Sequence, residues 1–422
     1  MTSRARRRAA PQQSEPSGAD QIPVWTGVSV RSPRAFRDGV AHLLSDLNDE
    51  QHAAVTYGEG PLLVVAGAGT GKTQVITRRV AWLIAEQRAL PEEILALTFT
   101  DRAAEEMQAR VDRLVPYGYA TTPIKTFHAW GDELLRENAH RLGIAGELRV
   151  LGRAEVVLLL REHLFELGLS RFAPLGDPTR FLGDVAGYIS RAKEEAVTPD
   201  QVDAFAAALR SKAAAVESDD NATEKERSTS AEYAAALRRL GEEQAELAAV
   251  YRSYRSILAK RGLLDFGDQV LLSHELLQSD PLVAARVRER HRWLLVDEYQ
   301  DTNRLQGALV DLITQGNGNL TAVGDDDQSI YRFRGAAIGN ILGFVDRYPS
   351  AGKVVLTKNY RSTTPILNAA RRLIRFNDPD RLETRLGISK ELSAETDRGD
   401  AAPVGFRRFR TTADERSGRA HV

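Results

Sequence analysis

The octet AGAGTGKT at residues 66–73 directly follows the apolar run LLVV at 62–65, and this junction constrains the fold more than any other stretch of the chain. A strand that ends in a glycine-rich turn and opens a helix aims successive backbone N–H groups at one point, where a polyphosphate can sit. Gly67, Gly69 and Gly71 permit the tight turn, and Ala66, Ala68 and Thr70 complete the loop. Lys72 is placed to reach the β- and γ-phosphates of a nucleotide, and the Thr73 hydroxyl to hold Mg²⁺. Ala66 stands where the strict pattern has glycine.

The surrounding pattern extends this into a domain. Residues 73–86 read as a helix and 94–99 as a second strand, apolar throughout as in a sheet buried on both faces. Strand, loop, helix, strand is the beginning of a parallel α/β domain. From about residue 129 to 259 the chain turns Ala-rich, charged and helical. There Leu237, Leu240, Leu247, Tyr251, Tyr254 and Leu258 mark one buried helix face, which reads as core packing. The polar stretch ESDDNATEKERSTS at 217–230 reads as a linker. Strand signals return at 293–296 and 320–323, so the sheet resumes after a helical insertion. The run at 354–356 follows Pro349 and Gly352, a candidate domain junction.

Asp297 and Glu298 come immediately after the strand WLLV. Two adjacent carboxylates at the end of a buried strand are costly unless water, a cation or a donor meets them. One reading is an acid-enriched helix start. The other, favoured by the phosphate loop in the same chain, makes Asp297 a Mg²⁺ ligand and Glu298 the base that orients and deprotonates an attacking water. A third block, VGDDDQSIYRFRGA at 323–336, also follows an apolar strand. Its Gln328 can donate to a γ-phosphate oxygen and accept from water, whereas Asp325, Asp326 and Asp327 read as turn and cap residues. Tyr331, Phe333 and Arg334 interleave rings with a guanidinium, the mix that stacks unpaired bases.

These blocks resemble, in order, the motifs of the UvrD/Rep-like superfamily-one DNA helicases, from about residue 47 to 367. LNDEQ at 47–51 is similar to the adenine-reading motif, with Gln51 as the reader. TFTDRAAEEM at 98–107 and TFHAW at 126–130 resemble DNA-contacting motifs, and 251–268 resembles the segment leading back from the insertion. NYRS at 359–362 resembles the motif in which Tyr360 stacks on adenine and Arg361 is an arginine finger. The resemblance implies an α/β fold: a RecA-like P-loop domain at 41–125 and 259–352, a helical DNA-binding insertion at 126–258, and the start of a second RecA-like domain at 353–422. It implies ATP and Mg²⁺ as cofactors, single-stranded DNA and single-strand/duplex junctions as partners, and 3′ to 5′ unwinding. Thr98, Phe99, Phe127, His128, Tyr331, Phe333 and Arg334 would touch DNA; for His128 a capping or core role competes. Gln74 replaces the arginine common after GKT, and Phe333 the tryptophan common at its position. Two later family motifs, TIHxSKGLEF-like and VAxTRA-like, do not occur, so a truncated helicase is expected. An ATP- and DNA-binding module with little unwinding, and the motor of a RecB- or AddA-like helicase–nuclease, remain as alternatives.

Composition bounds the rest. With 57 Lys plus Arg against 58 Asp plus Glu the net charge is -1, so any grip on DNA must be local. Zero cysteines exclude disulfides, thiolate zinc sites, iron–sulfur clusters and cysteine nucleophiles within these 422 residues. No apolar run approaches the roughly eighteen residues of a membrane helix, and a cytoplasmic location is expected. Residues 1–40 read as a disordered leader, basic at Arg4, Arg6, Arg7 and Arg8.

Overall fold

The computed structural model describes residues 41–115, 122–142, 148–217, 224–315, 318–330, 337–396, 404–405 and 408–414. The leader at 1–40 and the DNA-contact candidates Tyr331, Phe333 and Arg334 lie outside these residues.

A six-stranded sheet carries the molecule. Its strands are β1 (Leu62–Ala66), β2 (Ile94–Thr98), β3 (Ile124–Thr126), β6 (Trp293–Val296), β7 (Leu320–Gly324) and β8 (Gly352–Leu356), in the order β3-β2-β6-β7-β1-β8. Every pairing is parallel, with Val64 opposite Val323 on one side of β1 and Val354 on the other. All residues of β1, β2, β6 and β7 are buried, which is why each reads as an unbroken apolar run. Alternate residues feed two cores: Leu63 and Val65 join one face, Leu62, Val64 and Ala66 the other.

Helices α1 (Asp49–Val55), α2 (Lys72–Ala85), α3 (Asp101–Leu114) and α4 (Phe127–Glu137) flank the first strands. Arg79 of α2 is fully buried, and burial lowers its pKa to about 10. Its guanidinium donates to the carbonyls of Ala54, Val55, Tyr57 and Gly58 and to Thr321 Oγ1, so it pins the end of α1 to α2 and β7.

The insertion begins later than the expected boundary at 126. β3 is a strand of the main sheet, and Phe127, Trp130 and Leu134 of α4 pack in its core. The insertion hangs instead from a parallel pair, β4 (Arg149–Leu151) with β5 (Leu263–Asp265). It comprises α5 (Arg153–Glu162), α6 (Leu182–Glu194), α7 (Pro199–Glu217) and α8 (Glu224–Arg261), with its own core around Leu160, Val185, Tyr251 and Tyr254. Residues 224–230, expected in a linker, are the first turns of the 38-residue α8; 218–223 lie outside the described residues. Along the expected stripe Leu237, Leu247, Tyr251, Tyr254 and Leu258 are buried, but Leu240 is 39% exposed.

After the insertion come α9 (Phe266–Ser279), α10 (Pro281–Arg290) and α11 (Arg304–Thr314), then α12 (Thr364–Ile374) and α13 (Leu382–Leu386) beyond the sheet. The junction expected at 352/353 falls inside β8, which pairs with β1 along its whole length, so the sheet domain extends at least to Leu356. The described residues 404–405 and 408–410 are not in a strand. No described helix is long and apolar enough to cross a membrane.

Candidate nucleotide site and adjoining groove

The phosphate loop closes between β1 and α2 as its glycines dictate. Gly69 and Gly71 have φ of 80° and 89°, where a side chain is strained, and Gly71 is the N-cap of α2 without any side-chain cap. The first N–H groups of α2 are thus left to an anion. Thr70 Oγ1 donates to Gly67 O at 2.8 Å, closing the loop from within. Gln51, the expected adenine reader, is buried and donates from Nε2 to Thr70 O at 2.9 Å. Its own helix is set by a capping box between Asn48 and Gln51. Thr73 is half-buried in the first turn of α2, with Ala66 and Gly67 buried beneath the loop and Ala68 exposed at its tip.

β6 delivers the acidic pair to the same place. Lys72 Nζ lies 2.6 Å from Glu298 Oε2 and 3.2 Å from Gln328 Oε1. Glu298 holds φ 48°, ψ 46°, a left-handed conformation that costs about 1–3 kcal/mol for a non-glycine residue and clusters at functional sites. Asp297 is buried and accepts the Glu298 N–H at 2.9 Å. Burial, with Glu298 alongside and against the pull of Lys72, pushes its pKa up to about 7. Asp301 is raised in the same way to about 6, and its buried Oδ1 has no hydrogen-bond partner among the described residues. Acids this poorly compensated are chemically suited to a divalent cation.

The sequence did not point to Gln300. It is 1% exposed, donates to Glu298 Oε2 at 2.8 Å and to Asp301 Oδ2 at 3.3 Å, and accepts the Asp325 N–H at 3.0 Å. It therefore ties the acidic block to the Gln328 block. The only sequence signal was its place between the acids of DEYQD.

Residues 357–362 lie across the loop from the other side. The Tyr360 N–H donates to Gly69 O at 2.9 Å, Asn359 Nδ2 to Ala68 O at 2.5 Å, and Asn48 Nδ2 to Tyr360 Oη at 2.9 Å. Asn359 Oδ1 accepts the N–H groups of Arg361 and Ser362, shaping the turn. A Cβ on Gly69 would stand 2.6 Å from Arg361 Cβ, so the exposed Tyr360 and Arg361 rise beside the phosphate loop.

A cleft of about 480 Å³ separates the sheet domain from the insertion. Phe99, His128 and Phe266 line it, with Arg153, Arg191 and Asn303. Phe99 is 38% exposed; the His128 ring meets Phe266 edge-on, with centroids 6.2 Å apart. Burial lowers the His128 pKa against a smaller opposing effect of Asp101, which keeps the imidazole neutral. Phe266, not singled out from sequence, is 59% exposed in the first turn of α9, directly after the N-cap Asp265. Of the other residues expected at DNA, Thr98 and Phe127 are 1% and 2% exposed, Thr98 at the buried end of β2 and Phe127 in the sheet core, and neither lines this cleft.

A six-stranded parallel sheet with a phosphate loop after β1, an acidic pair after β6 and a helical insertion defines a RecA-like P-loop nucleotide-binding domain. The model of the UvrD/REP helicase N-terminal domain matches residues 47–349, and the chain belongs to that family. Relatives named ATP-dependent DNA helicase PcrA include that of Leuconostoc citreum, 36% identical over 89% of this chain and 44% of the relative. That of Bacillus subtilis is 38% identical over 79% and 40%, and that of Staphylococcus aureus 36% over 79% and 40%. The chain spans about two fifths of the length of these curated relatives.

Proposed function

We propose that this chain binds ATP with Mg²⁺ and forms the nucleotide-hydrolysing N-terminal part of a 3′ to 5′ DNA helicase that acts on single strands and single-strand/duplex junctions in repair or recombination. The observation that carries this reading is the convergence of Lys72, Glu298 and Gln328 under the phosphate loop, with Tyr360 and Arg361 beside it. The direction of movement rests on the family resemblance alone.

In the structure Lys72 and Glu298 neutralise each other at 2.6 Å. A γ-phosphate arriving at the first turn of α2 competes for the ammonium, and Glu298 is then released to accept a proton from water. Gln328 presents its amide beside the same ammonium, and Arg361 offers a guanidinium from the far wall to the charge that develops on phosphoryl transfer. Thr73 and Asp297 would hold Mg²⁺, which would supply neutralisation of phosphate charge there. Phe99 and Phe266 offer faces on which unpaired bases stack, beside the neutral His128.

Steady-state ATP hydrolysis, with and without single-stranded DNA, tests the reading. Stimulation by DNA that is lost in Lys72→Ala is expected. Equal rates for wild type and Lys72→Ala would sink the catalytic assignment, and DNA affinity without turnover would leave a binding module.

A further inference from the structure

Asp325, Asp326 and Asp327 follow β7 with their carboxylate oxygens within 4.8 Å of one another. A single ammonium fills this cluster. Lys390 Nζ stands 2.5 Å from Asp325 Oδ1, 2.6 Å from Asp326 Oδ1 and 2.7 Å from Asp327 Oδ2, with both its side chain and that of Asp325 6% exposed. Arg381 adds a bidentate pair to Asp327, both bonds 2.7 Å, and the Leu382 N–H donates to Asp326 Oδ2 at 2.8 Å.

Asp325 is shared with the phosphate site. While its Oδ1 accepts from Lys390, its Oδ2 accepts from Gln328 Nε2 at 2.7 Å. The other end of that amide, Oε1, accepts from Lys72 at 3.2 Å. The ionised carboxylate can only accept and the ammonium can only donate, so these two partners set which way the Gln328 amide points, with Nε2 also 3.5 Å from the Ala66 carbonyl.

We propose that Lys390 is a positioning residue for the phosphate site: its ammonium holds Asp325 where that carboxylate aims the Gln328 amide at the γ-phosphate. The role rests on the nucleotide reading above. Without the ammonium, three neighbouring carboxylates repel one another in a largely buried site. Asp325 then turns away from its neighbours, which removes the acceptor that aims Gln328 Nε2. The α- and β-phosphates would be met by the backbone N–H groups of the loop, whereas the Lys390 ammonium bonds to Asp325, Asp326 and Asp327. Lys390 therefore bears on the discrimination of triphosphate from diphosphate more than on nucleotide binding as such.

The test measures affinities of the whole chain for Mg·ADP and for the Mg²⁺ complex of a slowly hydrolysed ATP analogue. Lys390→Ala is expected to weaken the analogue about tenfold, as for one lost charge-linked hydrogen bond, and ADP less than about twofold. Lys390→Arg, which restores a cation, is expected to recover most of the preference. Should the alanine variant fail to fold, Lys390→Met, which keeps the length of the stem without charge, reads the same ratio. Equal losses for both nucleotides, no loss for either, or a wild type without preference between them would overturn the positioning role while leaving nucleotide binding intact. A wild-type chain that binds neither nucleotide would overturn both readings together.

Discussion

At the neck of the insertion Lys193 is fully buried, and its ammonium lies 2.7 Å from Asp265 Oδ2 and 2.6 Å from Asp268 Oδ1. Tyr254 Oη donates to Asp265 at 2.8 Å, and the Asp265 and Asp268 side chains cap α9 reciprocally. Burial opposes ionisation of both acids; at Asp265 Lys193 and Tyr254 outweigh it and the pKa falls, while at Asp268 burial and the neighbouring Asp265 raise it. Around the phosphate loop the same residue types are left under-compensated. One lysine faces Glu298 with Asp297 and Asp301 close by, both acids are pushed up, and Glu298 sits in a strained backbone conformation. A closed network suits a joint that keeps two cores in register. An open one keeps its electrostatic energy for a ligand that brings both a cation and an anion.

The largest expected effect breaks the closed network. Lys193→Met leaves two buried carboxylates without their cation and is expected to destabilise the chain by about 3–5 kcal/mol in urea unfolding. Adding Asp268→Asn to it should recover part of that loss, because the remaining carboxylate keeps Tyr254 as donor. If the double variant is no more stable than Lys193→Met, the neck is held by packing rather than by charge.

The open network should respond in the opposite direction. The folded pKa of Asp297, about 7, lies above its ordinary value of 3.8. Its protonated form therefore supports the fold fully below pH 3.8, and that contribution is lost as the pH rises through 7. Asp297→Asn does not titrate and should be more stable than wild type at pH 8 without divalent cations, by roughly 2–4 kcal/mol, with the gap closing towards pH 4. Urea midpoints at pH 5 and pH 8 in the presence of a chelator check this. A gap that does not widen with pH would show that Asp297 is compensated after all. Saturating Mg²⁺ should narrow the gap at pH 8 by stabilising wild type.

The strands of the sheet were legible because burial on both faces leaves no polar alternation: the expected runs at 94–99, 293–296 and 320–323 match β2, β6 and β7 within a residue at each end. The start of the insertion was not, because FHAWGDELLRE has the same helical pattern as the helices of the insertion itself. Only its contact with the sheet core assigns α4 to the first domain. Leu240 is in phase with the buried stripe of α8 but falls between two separate clusters, one at Leu237 and one from Leu247 onward. At the site, the sequence placed Lys72, Glu298 and Gln328 in their segments, and the fold brings them together. Within the segment 126–130 the sequence did not separate the two faces, since neighbours on a helix point about 100° apart and Phe127 turns inward where His128 turns to the cleft. Phe266 and Lys390 were illegible because their partners lie on distant segments, and Gln300 because the Asp325 N–H that it accepts lies beyond the end of another strand.

Gln300 is where the open network is anchored to the fold, and it gives the smallest expected change in stability. It has partners at both ends of its amide: Glu298 and Asp301 accept from Nε2, and the Asp325 N–H donates to Oε1. A Cβ on Gly324 would meet Oε1 at 2.5 Å, so the amide sits tightly against β7. Gln300→Ala leaves the buried Asp325 N–H without its acceptor and should cost about 1–3 kcal/mol. Glu298 also loses its donor and keeps Lys72 as its remaining partner among those named, so the ion pair should tighten and compete more strongly with a γ-phosphate. The variant should therefore show weaker binding of a triphosphate analogue relative to ADP, at a stability loss smaller than that of Lys193→Met. Displacement titrations alongside urea unfolding separate the two effects. A variant as destabilised as Lys193→Met would place Gln300 with the closed network and erase the distinction between the two regions, whereas unchanged nucleotide preference would confine it to packing against β7.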